Sequence, residues 1–218
     1  MLHLDSAAGT PLEQPIRVLT VDDHPLMREG IAAVLQCQPD MRVVGEAGNG
    51  REALASFRTL RPDVVLMDLQ MPELDGIGAI GAIKAEAPQA RILVLTTYKG
   101  DAQAWRALKA GAVGYLLKSS LRTDLLTAIR AVHAGRRWVP SEVAVELVAH
   151  AGEEMLTERE IQVLQRIALG HSNREVGEML ALSEETIKAR MKSILVKLGA
   201  RDRTHAVTIA LKRGLIHY

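Results

Sequence analysis

Apolar positions follow two different rhythms along this chain. Through the first 134 residues, short runs at Ile16–Val21, Met41–Ala47, Asp63–Met67, Ile92–Thr96 and Val113–Leu117 are rich in Val, Leu and Ile. Such runs predict strands buried on both faces. Between them, helical spacing predicts helices over Leu26–Gln36, Gly50–Leu60, Ile77–Ala87, Ala102–Ala110 and Leu121–Ala134. Strand–helix units joined by short connections imply an α/β fold, a parallel five-stranded sheet with helices on both faces. Ligands of such sheets bind beyond the carboxyl ends of the strands, so chemistry is sought at the last residue of each run.

The pattern breaks at Gly135-Arg136-Arg137-Trp138-Val139-Pro140, where Pro140 suits the first turn of a short helix over Ser141–Ala149. Ala151-Gly152-Glu153-Glu154 reads as a polar joint. From residue 155 the reading is all helix. Thr157-Glu158-Arg159-Glu160 is a capping box opening a helix that stops at Gly170. Ser172-Asn173-Arg174-Glu175 opens a second, over Arg174–Leu180, and Ser183-Glu184-Glu185 a third that runs to Leu198 and stops at Gly199. A fourth is expected over about Thr204–Arg213. The organisation expected is a flexible extension over 1–15, an α/β domain over 16–134, a linker over 135–154 and a four-helix domain over 155–218.

Composition narrows the function. Aromatics are only 3% of the chain, which limits stacking on bases as a recognition device. A single cysteine, Cys37, excludes disulfides within the chain and cysteine-ligated zinc, and fits a cytoplasmic protein. No apolar run approaches the roughly 20 residues of a membrane span, and residues 1–15 lack the basic start and apolar stretch of a signal peptide. The net charge of +1 is unevenly spread. Residues 155–218 carry 11 Lys and Arg against 7 Asp and Glu, a surplus placed where a polyanion would bind.

The strand ends carry acids and donors. Asp22-Asp23 follow the first run, Asp68 the third, Thr96 closes the fourth and Lys118 follows the fifth. Carboxylates crowded at one sheet edge repel unless a cation neutralises them, and an oxygen-only set suits Mg²⁺ or a similar hard ion such as Mn²⁺. A lysine and a hydroxyl beside them suit a phosphoryl group. The set therefore fits an aspartyl-phosphate site, with Asp68 as nucleophile, Asp22 and Asp23 on the metal, and Lys118 and Thr96 clamping charge. Singly, each residue reads as a turn former or a solvated surface group; five compatible residues at four strand ends do not.

Asp22-Asp23, Val65-Leu66-Met67-Asp68, Met71-Pro72, Asp75-Gly76, Thr96 and Gly114-Tyr115-Leu116-Leu117-Lys118 resemble the receiver domain of response regulators. The resemblance implies a flavodoxin-like sheet, phosphorylation of Asp68 by a sensor histidine kinase, and a metal shell completed by the backbone carbonyl of Gln70. It also implies that Thr96 and Tyr115 form a switch pair. Gly76-Ile77-Gly78-Ala79-Ile80-Gly81 satisfies a dinucleotide-binding pattern, but the glycines do not directly follow a strand, and the next run ends in Thr96-Thr97 without an acid. These glycines are expected to start a helix and pack closely against the sheet.

In the helical third, the Ala181-Leu182-Ser183 turn between two short helices has helix-turn-helix proportions. Ile187, Met191, Ile194 and Leu198 make an apolar stripe on the second of them, which predicts Lys188, Arg190, Lys192 and Lys197 facing outward toward a DNA groove and its phosphates. Leu156-Thr157-Glu158-Arg159-Glu160, Gly170-His171-Ser172-Asn173-Arg174-Glu175-Val176 and Ser183–Arg190 resemble the LuxR-type DNA-binding domain. The whole chain is thereby similar to the NarL/FixJ family of response regulators. The resemblance implies Lys188 and Lys192 as groove contacts, with Thr186, Ser172 and Asn173 near the backbone. The chain departs from the family at Ala189-Arg190, where Thr-His is usual, which leaves base preference open, and at Gly177, where Ala is usual. Glycine there weakens a helix by about 0.5–1 kcal/mol unless it permits closer packing.

The function implied is a phosphorylation-controlled transcription factor that binds promoter DNA as a homodimer, and not an enzyme in its own right. Two rivals differ in class. One is a DNA binder in which the receiver serves only for dimerisation, without phosphate. The other is a phosphatase of the haloacid-dehalogenase type, which needs an acid two residues after the nucleophile, where Gln70 stands.

Overall fold

The computed structural model describes residues 14–97, 101–141, 143–145 and 156–216. Residues 1–13 of the expected extension, most of the short helix expected over Ser141–Ala149, and the joint Ala151–Glu154 lie outside the described residues. The chain falls into two compact units, one through Arg91 and one from Ile92 onward.

The first unit runs β1 (Ile16–Val21), α1 (Pro25–Gln36), β2 (Met41–Ala47), α2 (Gly50–Leu60), β3 (Val64–Asp68) and α3 (Gly76–Glu86). β1 pairs in parallel with β2 and with β3, setting Val21 beside Met67. Side-chain caps fix where the helices begin. The Asn49 carbonyl oxygen accepts from the Glu52 amide at 2.9 Å, and Asp75 accepts from the Gly78 amide at 2.7 Å.

The second unit opens with β4 (Ile92–Thr96), α4 (Asp101–Lys109), β5 (Gly114–Leu117), a 3-10 turn over Lys118–Ser120, and α5 (Leu121–His133). β4 and β5 pair in parallel, Thr96 beside Leu117. The five strands form one parallel sheet, hydrogen-bonded in the order β2-β1-β3-β4-β5. β3 and β4 are buried along their whole length, as expected. β2 is not: five of its seven residues, Arg42–Glu46, are partly or fully exposed, because it is an edge strand with no neighbour on one side. β5 is also an edge, yet buried throughout. Trp138 covers it, accepting from the Tyr115 amide at 2.7 Å and donating to the Val113 carbonyl at 3.3 Å.

Within residues 156–216 four helices follow: α6 (Glu158–Ala168), α7 (Asn173–Leu180), α8 (Glu184–Lys197) and α9 (Arg203–Lys212). Both expected capping boxes are formed, at Thr157 with Glu160 and at Ser172 with Glu175. Gly170, Gly199 and Gly214 follow helix ends with φ of 93°, 59° and 66°, the left-handed region glycine enters without strain. Val163, Leu164, Val176, Ile187, Met191 and Ile194 form the centre of a shared core.

Candidate phosphoacceptor site and DNA-binding face

The acids at the ends of β1 and β3 converge. Asp22, Asp23, His24 and Asp68 each place one ligand atom within 4.8 Å of the others. Asp22 is fully buried and Asp68 only 3% exposed, whereas Asp23 and His24 reach solvent. The backbone holds both buried carboxylates in place. The Leu69 amide donates to Asp68 Oδ1 at 2.8 Å, and the His24 amide donates to Asp22 Oδ1 at 2.9 Å. Arg28, one turn into α1, donates to the Asp22 carbonyl at 2.6 Å and ties the loop to Glu46 of β2 at 3.1 Å. Two buried carboxylates in one cluster repel one another, and a hard oxygen-seeking cation between them offsets that repulsion. The donor set thus fits a divalent ion of the Mg²⁺ kind.

His24 was not among the expected residues. Its Nδ1 lies 2.7 Å from Asp23 Oδ1 and 3.2 Å from Asp22 Oδ1. Its position directly after Asp22-Asp23 was the available signal, but a histidine before a proline reads equally well as a helix start.

Gln70 lies half-buried in the loop between β3 and α3. Thr96 closes β4 and is 1% exposed; Lys118 begins the turn after β5. Tyr115 is fully buried, its ring inward. The dinucleotide-like glycines have a packing reason instead. A Cβ on Gly76 would lie 2.0 Å from the Asp68 carbonyl oxygen and 2.7 Å from Leu69 Cα, so α3 starts against the backbone of the nucleophile candidate. Gly78 is packed against Leu74, while Gly81 has open space and carries no such constraint.

On α8 the expected stripe holds: Ile187, Met191 and Ile194 are buried, with Leu198 packed against them. Lys188, Ala189 and Lys192 are exposed. The expectation that all four cations face outward fails twice. Lys197 turns inward, its side chain 10% exposed and its Nζ 3.0 Å from Glu160 Oε2. Arg190 sits only about 60° round the helix from Ile187 and lines a cleft beside α6. The cause is the same for both, since α6 covers that flank of α8 as well as the stripe. Ser172 and Ser183 are N-caps whose hydroxyls are engaged by the Glu175 and Thr186 amides, so each presents a helix start. Asn173 begins α7, and Thr186 stands in the first turn of α8.

Gly177 permits close packing. Its Cβ would stand 2.7 Å from the Leu182 carbonyl oxygen, in the turn that links α7 to α8. Gly177→Ala is therefore expected to lower the unfolding temperature despite the better helix former, since overpacking against backbone costs about 1–3 kcal/mol and the propensity gain is about 1 kcal/mol. A rise in unfolding temperature would contradict this packing argument.

Comparison with known proteins agrees with this architecture. Residues 18–130 match the response regulator receiver domain, and residues 154–210 match the bacterial regulatory proteins of the luxR family. The chain belongs to the response regulators that join a receiver to a LuxR-type DNA-binding domain, the NarL/FixJ arrangement, and is a transcription regulator of the two-component type. It is 41% identical to the uncharacterized transcriptional regulatory protein YxjL of Bacillus subtilis, over 92% of this chain and 97% of that one. It is 40% identical to the response regulator protein VraR of Staphylococcus aureus, over 92% and 99%. Among solved structures, RcsB of Salmonella enterica serovar Typhimurium, bound to promoter P1flhDC with phosphomimetic BeF3-, matches at 30% identity and a TM-score of 0.67, covering 92% of this chain and all of that one. Response regulator ChrA, of a heme-sensing two-component system, matches at 40% identity and a TM-score of 0.54, covering 93% and 99%.

Proposed function

We propose that Asp68 accepts a phosphoryl group from a partner histidine kinase and that this controls DNA binding by α8. The observation that carries the reading is the convergence of Asp22, Asp23 and Asp68. One Asp68 carboxylate oxygen attacks phosphorus, the bond from phosphorus to the kinase histidine nitrogen breaks, and that nitrogen leaves with the electron pair. Asp22, Asp23 and Asp68, with the Gln70 carbonyl, would hold a Mg²⁺ ion, which supplies charge neutralisation for the incoming phosphoryl oxygens. Lys118 and the Thr96 hydroxyl, at the ends of their own strands, bind the remaining oxygens. Tyr115 then holds its inward position beside the displaced Thr96.

In the DNA-binding half, exposed Lys188 and Lys192 enter the groove, with Ala189 between them facing the bases. Thr186, Ser172 and Asn173 meet the sugar-phosphate backbone through the starts of α7 and α8. Paired copies on two half-sites are the natural arrangement for a helix-turn-helix regulator acting in the cytoplasm. Incubating the protein with labelled acetyl phosphate and Mg²⁺ tests the receiver half. Wild type is expected to take label and Asp68→Asn none; undiminished labelling of the variant would remove Asp68 from the role.

A further inference from the structure

The cleft that Arg190 lines has a volume of about 220 Å³ and is otherwise walled by Arg159, Gln162, Leu180 and Leu182. Its chemistry is unbalanced. The Arg190 Nε is buried and makes no hydrogen bond. Arg159 supplies a second guanidinium and Gln162 a side-chain amide, both from α6. Nearby acids are committed elsewhere: Glu160 accepts from Lys197, and Glu184 and Glu185 pair with Lys188. Two guanidiniums and an amide line this one cleft and no carboxylate is among its walls, a donor set suited to an oxyanion. Leu180 and Leu182, both half-buried, form the apolar part of the wall.

We propose that this cleft binds a phosphoryl oxyanion, bridging α6 to the α7–α8 turn and to α8. The group is either a free phosphate-bearing ligand or a phosphate of the DNA backbone. On a straight helix Arg190 points about 160° away from Lys192, so the free ligand is the source the geometry favours. An anion held here would clamp the turn on which α8 is mounted, a control of DNA binding separate from Asp68.

The test uses the full chain with inorganic phosphate and pyrophosphate as probes, at constant ionic strength with chloride as the reference anion. Pyrophosphate is expected to raise the unfolding temperature and to shift the Arg190 Nε resonance. Arg190→Gln and Arg159→Gln should each weaken that binding at least tenfold, and circular dichroism checks that the variants stay folded. Repeating the titration with duplex DNA separates the sources. Pyrophosphate affinity unchanged by DNA assigns the cleft to a free ligand, and competitive loss assigns it to the DNA backbone. Absence of pyrophosphate binding, or binding unchanged in the double variant, overturns the proposal.

Discussion

Gly76→Ala is expected to unfold the receiver half at a markedly lower temperature and to slow phosphoryl labelling of what remains folded. The added methyl would stand 2.0 Å from the Asp68 carbonyl oxygen and 2.9 Å from its carbonyl carbon. Both atoms are backbone at the end of β3, where no side-chain rotation makes room. Overpacking costs typically about 1–3 kcal/mol, and contact with a fixed strand end puts this site at the upper figure. About 3 kcal/mol is a large part of the 5–15 kcal/mol that holds a typical domain folded. Relief comes only by moving α3 or the strand end, and the latter carries Asp68 with it. Gly81→Ala in the same helix is the control, since its Cβ meets nothing within 4 Å. There the same chemical change should stabilise by about 0.5–1 kcal/mol. Thermal unfolding and acetyl phosphate labelling of the two variants give the comparison; matching behaviour would refute the close-approach argument.

The second large effect lies at Glu160. Burial would raise the pKa of this carboxyl, but the Thr157 amide, the Ser193 hydroxyl, the Lys197 ammonium and the Thr157 hydroxyl all donate to it, and together they bring it down from 4.5 to about 2. The folded value lies below the unfolded one, so the stabilisation is present above about pH 4.5 and is lost as the pH falls toward 2. That interval corresponds to an upper figure of about 3 kcal/mol. Glu160→Ala removes the return half of the capping box and the carboxylate facing Lys197, a loss of about 3–5 kcal/mol when a buried pair is broken on one side. Glu160→Gln keeps an acceptor for Thr157 and Ser193, costs less, and flattens the acid limb between pH 4.5 and 2. Hydrogen exchange at the amides of α6 and α8 across that range follows the effect. An acid limb of equal steepness in Glu160→Gln would assign the pH dependence to other groups.

The sequence made the elements legible because each is punctuated locally. Asn49, Asp75, Thr157, Ser172 and Ser183 all cap the helices they precede, and the apolar runs end where the strands end to within one residue. The acid cluster was legible because a parallel sheet gathers strand ends whatever the intervening sequence. What escaped depends on neighbours distant in the chain. A stripe at Ile187, Met191 and Ile194 gives the centre of a buried face but not its width, and α6 extends it to Arg190 and Lys197. β2 and β5 read alike as apolar runs, yet only β5 is sealed, by a tryptophan more than twenty residues further on. The reasons for Gly76 and Gly177 lie in carbonyl groups across a turn, which no residue pattern records.

Trp138 also sets where the connection between the two halves begins. Because its carbonyl accepts from Tyr115, the chain leaving α5 is moored to the sheet for several residues before it is released. A tether that starts later is shorter, and a shorter tether raises the effective concentration of each half around the other. It is moored, moreover, to the backbone of Tyr115, the residue proposed to switch.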